Sequence, residues 1–321
     1  MHFAIIGTGA MGLLTGALLA SSGQDVTMIS AGREDMRDAL RARGIHYIGS
    51  DGTRDIPVAA FTADEIASSG APDTPFDFVF LFTKSTGSRA ALERCRPIFG
   101  PDTYLVTLQN GLGNMETAAE FAAPGHTIGG IVSMPAAVTG VGEVTTGSAD
   151  HVSTVGFAPS EPGGPAQDPA APERLAEAMN RAGIQTKTAP DIRTAIWGKV
   201  ALNSAFNPVS ALARVPQSGF LADEDGEAMI LTIMNETLDL AEALGIHADR
   251  EASTGRARRI MRTHAGHYPS MAQDVLAGRE TEIEGINGEI VRRARAIGFP
   301  VPHNETLYVL VKLLQAGYLG K

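Results

Sequence analysis

The sequence predicts an α/β protein in two parts, a doubly wound sheet domain over residues 1–190 and an all-helical domain over residues 191–321. Its length of 321 residues exceeds the comfortable size of a single core, so two domains are the natural expectation. Up to about Ala189, short apolar runs alternate with amphipathic stretches, as in a parallel sheet covered by helices. From Asp191 onward strand signals disappear and helical spacing dominates.

The first apolar run, residues 3–6, leads into Gly7-Thr8-Gly9-Ala10-Met11-Gly12, and a helix is expected to open near Leu13. In that context the first glycine permits a tight turn, the second lets backbone approach a pyrophosphate, and the third allows close helix–strand packing. The helix amino terminus adds oriented N–H groups. A plain glycine-rich turn is the competing account; the strand-to-helix context favours a Rossmann-type dinucleotide site. The second strand, residues 26–29, ends in Ser30-Ala31-Gly32-Arg33 rather than in the acid that would accept a ribose hydroxyl. NADP is therefore expected, with the Arg33 guanidinium forking onto the 2′-phosphate. Glu34 and Asp35 sit beside Arg33 and could pair with it instead, which keeps NAD as the minor option.

Further strands are expected at residues 78–82, 104–108, 127–132 and 153–157. Two of them end in polar residues where an open parallel sheet binds ligands, Lys84 and Asn110. Each has a plainer account, as the first exposed residue of a loop and as an Asn-Gly turn. Residues 158–172 hold five prolines without apolar periodicity and are read as an exposed loop, followed by a helix near residues 170–182 and a strand-like 185–188. The domain boundary is therefore set near residue 190.

In the second part, residues 197–207 place Lys199, Asn203 and Asn207 four apart, along one helical stripe with only ~40° of drift per step. Val200, Ala201, Leu202, Ala205 and Phe206 lie between them, so the polar groups are embedded in core-like sequence and need a ligand, water or protein partners. An inter-helix hydrogen-bond network competes with a substrate-reading face. Helical spacing recurs over residues 229–244, stopping at Gly245, and over residues 282–297, stopping at Gly298.

The formal net charge of −10, without a basic cluster, argues against a nucleic-acid surface. One cysteine, Cys95, excludes an internal disulfide framework and multi-cysteine metal sites, and His264 with His267 lacks an obvious third ligand, so no metal is expected. The amino terminus has no basic leader and its apolar run is too short to span a bilayer, so a soluble cytoplasmic protein without membrane partners is expected. A homodimer is compatible with the sequence.

Taken together, Gly7 to Gly12, Thr83-Lys84, Leu108-Gln109-Asn110-Gly111-Leu112-Gly113, Trp197-Gly198-Lys199 with Asn203 and Asn207-Pro208, and Pro269-Ser270-Met271 through Thr281-Glu282-Ile283 resemble the 2-dehydropantoate 2-reductase (ketopantoate reductase) family over nearly the whole chain. The resemblance implies a Rossmann domain and a helical domain with the active site in the cleft, and NADPH-dependent reduction of a 2-oxo acid. It implies that Lys199 donates the proton to the carbonyl oxygen, that Asn203, Asn207 and Ser270 hold the hydroxy-acid end, that Glu282 supports the lysine or cofactor, and that Lys84 and Asn110 lie by the nicotinamide, Asn110 serving substrate as well. For Glu282 a solvated ion pair near Glu289 and Arg293 competes. After Gly129-Gly130 typical members carry a threonine-rich run ending in His-Gly-Ala, whereas this chain reads Ile131-Val132-Ser133-Met134-Pro135-Ala136-Ala137, which leaves another 2-oxo acid open as substrate. The alternatives are a related NAD(P)-dependent dehydrogenase acting on another 2-oxo acid or an imine, and a non-catalytic NADP sensor.

Overall fold

The computed structural model describes residues 1–69, 75–132, 134–147, 152–263 and 266–320, so Ser133 and His264 lie outside the described residues. The chain divides into two compact units, Met1–Gln109 with Asn114–Ile192, and Asn110–Gly113 with Arg193–Lys321.

The first unit is built on β1 (His2–Ile6), β2 (Asp25–Ser30), β3 (Ile45–Gly49), β4 (Gly52–Ile56), β5 (Ala59–Thr62), β6 (Phe78–Leu81), β7 (Tyr104–Thr107), β8 (Thr127–Ile131), β9 (Ala136–Gly140), β10 (Glu143–Thr146), β11 (Ser153–Gly156) and β12 (Thr186–Thr188). Eight of them form one sheet in the order β12-β11-β8-β7-β6-β1-β2-β5. Its pairings are parallel except for β8 with β11. The central strand β1 is apolar at successive positions because both its faces are covered. Phe3 and Ile5 pack with Leu13, Leu14 and Ala17 of α1 (Ala10–Ser21), while Ala4 and Ile6 join a second core with Ala91 and Leu92 of α4 (Ser85–Arg94). The remaining helices of this unit are α2 (Glu34–Arg43), α3 (Ala63–Ser69), α5 (Asn114–Ala119) and α6 (Ala170–Arg181). Because β2 and β6 flank β1 on opposite sides, the sheet reverses direction at the glycine loop, which is where doubly wound sheets bind ligands.

Five strands escape the sequence reading. Of these, β3, β4, β9 and β10 form a second sheet in the order β4-β3-β10-β9, against which α1 packs. Their residues are mixed and half exposed, so neither alternation nor an apolar run marks them. The helix after the glycine motif opens at Ala10, three residues before the expected Leu13, because the motif itself supplies its first turn. The proline loop is exposed as expected, but its last residues, Ala170 to Pro172, already belong to α6 and bury Pro172.

Among its described residues the second unit is helical, with α7 (Ile192–Ala213), α8 (Gly226–Ala243), α9 (Arg250–Thr263), α10 (Ser270–Leu276), α11 (Glu289–Ile297) and α12 (Pro302–Leu319). The helix α7 runs through three apolar clusters, contributing Trp197 and Val200 to one, Leu202, Ala205, Phe206 and Val209 to the next, and Ala211 to the third. Such all-round burial makes α7 the core helix of this unit. The expected single helix over residues 282–297 is instead a π-helical turn, Glu284–Gly288, followed by α11. Glu282 therefore sits in a bend ahead of the helix rather than on it. Among the described residues no helix is long and apolar enough to cross a membrane.

Candidate functional site

The glycine loop is shaped by its own backbone. A Cβ on Gly7, whose φ is +108°, would lie 2.7 Å from the Phe82 carbonyl carbon, and one on Gly12 would lie 1.9 Å from the Gly7 carbonyl oxygen. Both positions therefore require glycine to bring β1, β6 and α1 together. Gly9 differs, since a Cβ there would meet nothing within 4 Å among the described residues. Gly9 is also the N-cap of α1, whose first turn carries no acidic side chain and no side-chain cap. The first N–H groups of α1 and the open space over Gly9 thus suit an incoming pyrophosphate.

At the end of β2, Ser30 Oγ donates to the Arg33 carbonyl at 2.9 Å and closes the loop. The exposed Arg33 guanidinium forks onto Asp35, through Nε at 3.2 Å and Nη2 at 2.5 Å. That pairing holds Arg33 above its ordinary pKa and Asp35 below its own. Of the two acids weighed as partners for Arg33, Asp35 is the one engaged. At the end of β6, Lys84 is exposed at the N-cap of α4. Its surroundings are fixed by Gln109, whose Nε2 donates to the Thr83 carbonyl at 2.5 Å and to Ser88 Oγ at 2.8 Å while Thr107 Oγ1 donates to its Oε1 at 2.9 Å. The sequence shows Gln109 only as part of the Leu108 to Gly113 motif and gives no role to Ser88; a glutamine two residues after the buried strand β7 is the signal available for the network.

In the helical unit Lys199, Asn203 and Asn207 lie on α7 as the spacing requires, with Lys199 and Asn203 partly buried and Asn207 only 4 % exposed. Burial first, and then the nearby Arg256 guanidinium, lower the Lys199 pKa against the opposing Glu282 carboxylate, and together they leave it at about 8. Arg256, on α9 and itself partly buried with a pKa lowered mainly by desolvation, had no signal in the sequence reading. Asn110 Nδ2 donates to Glu282 Oε2 at 3.4 Å. Asn110-Gly111 is more than a turn, for Leu112 N–H donates to the Gly285 carbonyl at 2.8 Å, and a Cβ on Gly111 would lie 2.2 Å from that oxygen. In the next turn Glu289 pairs with Arg292 and Arg293, and the Glu282 carboxylate acts on Lys199. Ser270 opens α10 on the surface, and among the described residues no hydrogen bond joins it to the α7 stripe. Among the described residues no group of three His, Cys, Asp or Glu could hold a metal ion.

The chemistry available is thus a glycine-rich turn at a sheet reversal, and a lysine whose proton is labile near neutral pH beside two amides. The family described as "Ketopantoate reductase PanE/ApbA" matches residues 3–158, and its C-terminal counterpart, "Ketopantoate reductase PanE/ApbA C terminal", matches residues 191–315. The 2-dehydropantoate 2-reductase of Pyrococcus horikoshii is 32% identical over 313 residues, covering 97% of both chains. That of Aquifex aeolicus is 30% identical over 320 residues, covering 97% of this chain and 96% of the other. Among solved structures, a PanE/ApbA family ketopantoate reductase from Ralstonia eutropha JMP134 superposes with a TM-score of 0.85 at 28% identity, covering 99% of this chain and 100% of the other. The fold is shared as well by D-mandelate dehydrogenase solved with NADH and anilino(oxo)acetate, at a TM-score of 0.89 and 23% identity over 99% of this chain and 100% of the other. With both halves matched and relatives of this similarity aligned almost end to end, this chain belongs to the ketopantoate reductase family of oxidoreductases.

Proposed function

We propose that this chain is a cytoplasmic enzyme that reduces 2-dehydropantoate to pantoate with NADPH, a step toward pantothenate and coenzyme A. In this proposal residues 1–190 bind NADP and residues 191–321 bind substrate. The observation that carries it is Lys199, a partly buried ammonium with a pKa of about 8 in line with Asn203 and Asn207 on α7. NADPH, when bound, supplies hydride to the carbonyl carbon. Gly7, Thr8, Gly9, Ala10, Met11 and Gly12 take its pyrophosphate against the amino terminus of α1. Arg33 exchanges Asp35 for the 2′-phosphate, and Lys84 and Asn110 serve the nicotinamide end. Asn203, Asn207 and Ser270 hold the hydroxy-acid end of the substrate, and Asn110 contacts it too. As the carbonyl π pair moves onto oxygen, the Lys199 ammonium stabilises the growing charge and then transfers its proton, leaving an alcohol and a neutral amine. Glu282 opposes the effect of Arg256 and so helps Lys199 recover a proton from water near neutral pH.

A reductase for a different 2-oxo acid is the second reading, favoured by one stretch. Where typical members carry the threonine-rich run, this chain leaves β8 through a buried Val132 and enters β9 at Ala136 after Met134-Pro135. Steady-state NADPH oxidation with 2-dehydropantoate and a panel of other 2-oxo acids, with and without amines, tests both. The highest kcat/KM is expected for 2-dehydropantoate. A tenfold preference for another acid would reassign the substrate, and NADPH binding without turnover of any would favour a sensor.

A further inference from the structure

Proline at position 208 interrupts α7 one residue after Asn207. It has no N–H, so the Ser204 carbonyl four residues earlier loses its helical donor. A side chain replaces it, for Asn287 Nδ2, on the π-helical turn, donates to the Ser204 carbonyl at 2.9 Å. Its second hydrogen goes to Asn304 Oδ1 at 3.0 Å. The direction of this amide is set from outside α7. Glu236 of α8 offers only acceptors, and Asn304 Nδ2 donates to its Oε2 at 2.9 Å, so Asn304 Oδ1 must face Asn287. Glu236 is itself held by the backbone N–H groups of His303 and Asn304, at 3.0 and 3.1 Å. On the α7 side, Ser204 Oγ also meets Thr237 Oγ1 of α8 at 2.9 Å. Asn287 is 0% exposed, and its Oδ1 has no hydrogen-bond partner among the described residues. A buried acceptor left unsatisfied is costly, so this side chain is kept for its two donors rather than for its volume.

We infer that Asn287 is a positioning residue for the substrate stripe, its amide replacing the backbone donor that Pro208 removes and holding α7 in one course across Asn203 to Pro208. The inference rests on the proposal that Asn203 and Asn207 bind the substrate. Asn287→Leu keeps a similar volume without a donor, and Pro208→Ala returns an N–H to Ser204, so the two changes should offset one another. Asn287→Leu is expected to lower Tm by roughly 3–10 °C and to raise KM for the 2-oxo acid about fivefold or more, with kcat and NADPH Kd within about twofold. In the Pro208→Ala background at least half of both effects should vanish, and the double variant should fold even where Asn287→Leu alone does not. Equal Tm losses in both backgrounds would overturn the carbonyl replacement. Coupling in Tm with an unchanged KM would reduce Asn287 to a structural brace and overturn the positioning role. Should the parent turn over no 2-oxo acid, the functional reading fails and the positioning role with it. The Tm coupling, together with emission from Trp197, the sole tryptophan and a residue of α7, would then still decide the carbonyl replacement.

Discussion

Raising the pH should expose Lys199 as the proton donor. With a pKa of about 8, its protonated fraction falls from about nine-tenths at pH ~7 to about 3% at pH ~9.5, so kcat/KM should drop about 30-fold, with a limiting slope of tenfold per pH unit. A lysine at the ordinary 10.5 would still be about nine-tenths protonated at pH ~9.5 and would lose only about 1.1-fold. The assay is NADPH oxidation under kcat/KM conditions across this range, with NADPH binding followed separately by fluorescence. Two variants fix the assignment by sign. Arg256→Gln removes a charge that lowers the Lys199 pKa and should move the alkaline limb to higher pH; Glu282→Gln removes one that raises it and should move the limb to lower pH. The same shift makes stability pH-dependent. Below about pH 8 folded and unfolded chains both carry the charge, and the folded one bears its desolvation. Between about 8 and 10.5 the unfolded chain binds a proton that the folded one has released, so stability should rise with pH across that window and be flattened by Lys199→Met. A flat kcat/KM profile to pH ~9.5, or limbs that move opposite to these signs, would remove Lys199 from the proton transfer.

Lys199→Ala should cut kcat about 100-fold or more while leaving NADPH affinity within a few-fold; near-normal kcat would leave Lys84 as the next candidate. Arg33→Ala should weaken NADPH by about 10- to 100-fold and NADH by less than about threefold, because only NADPH carries the phosphate for which Asp35 is exchanged; equal losses would refute the clamp. Asn203→Ala and Asn207→Ala should both raise KM by about 5- to 100-fold, and Asn207→Ala, at the more buried position, should also lower Tm; a fall in Tm with KM unchanged would make the stripe a packing network. Gly9→Ala should fold with Tm within a few degrees yet lose NADPH binding, whereas Gly12→Ala, whose methyl would sit 1.9 Å from the Gly7 carbonyl oxygen, should fail to fold normally. Normal NADPH affinity in Gly9→Ala would place the pyrophosphate elsewhere.

Much of this protein was legible in its residues because the signals are local. The apolar runs of β1, β6 and β7 are continuous since both faces are buried, the glycine motif needs its strand and helix beside it, and four-residue spacing puts Lys199, Asn203 and Asn207 on one stripe whatever surrounds them. Pairings distant in sequence were not legible. The half-exposed strands β3, β4, β9 and β10 are specified by one another across the chain, with β10 pairing β3 from about a hundred residues away. Nor could any spacing reveal that Gly111 and Gly285 meet, that Gln109 ties Thr83 to Ser88, or that Asn287 supplies the donor Pro208 lacks. The Lys199 pKa belongs to the same class. A sequence shows that a lysine sits among apolar neighbours on its own helix, but desolvation and the opposed fields of Arg256 and Glu282 depend on three-dimensional proximity, which only the packing of α7 with the other elements of its unit decides.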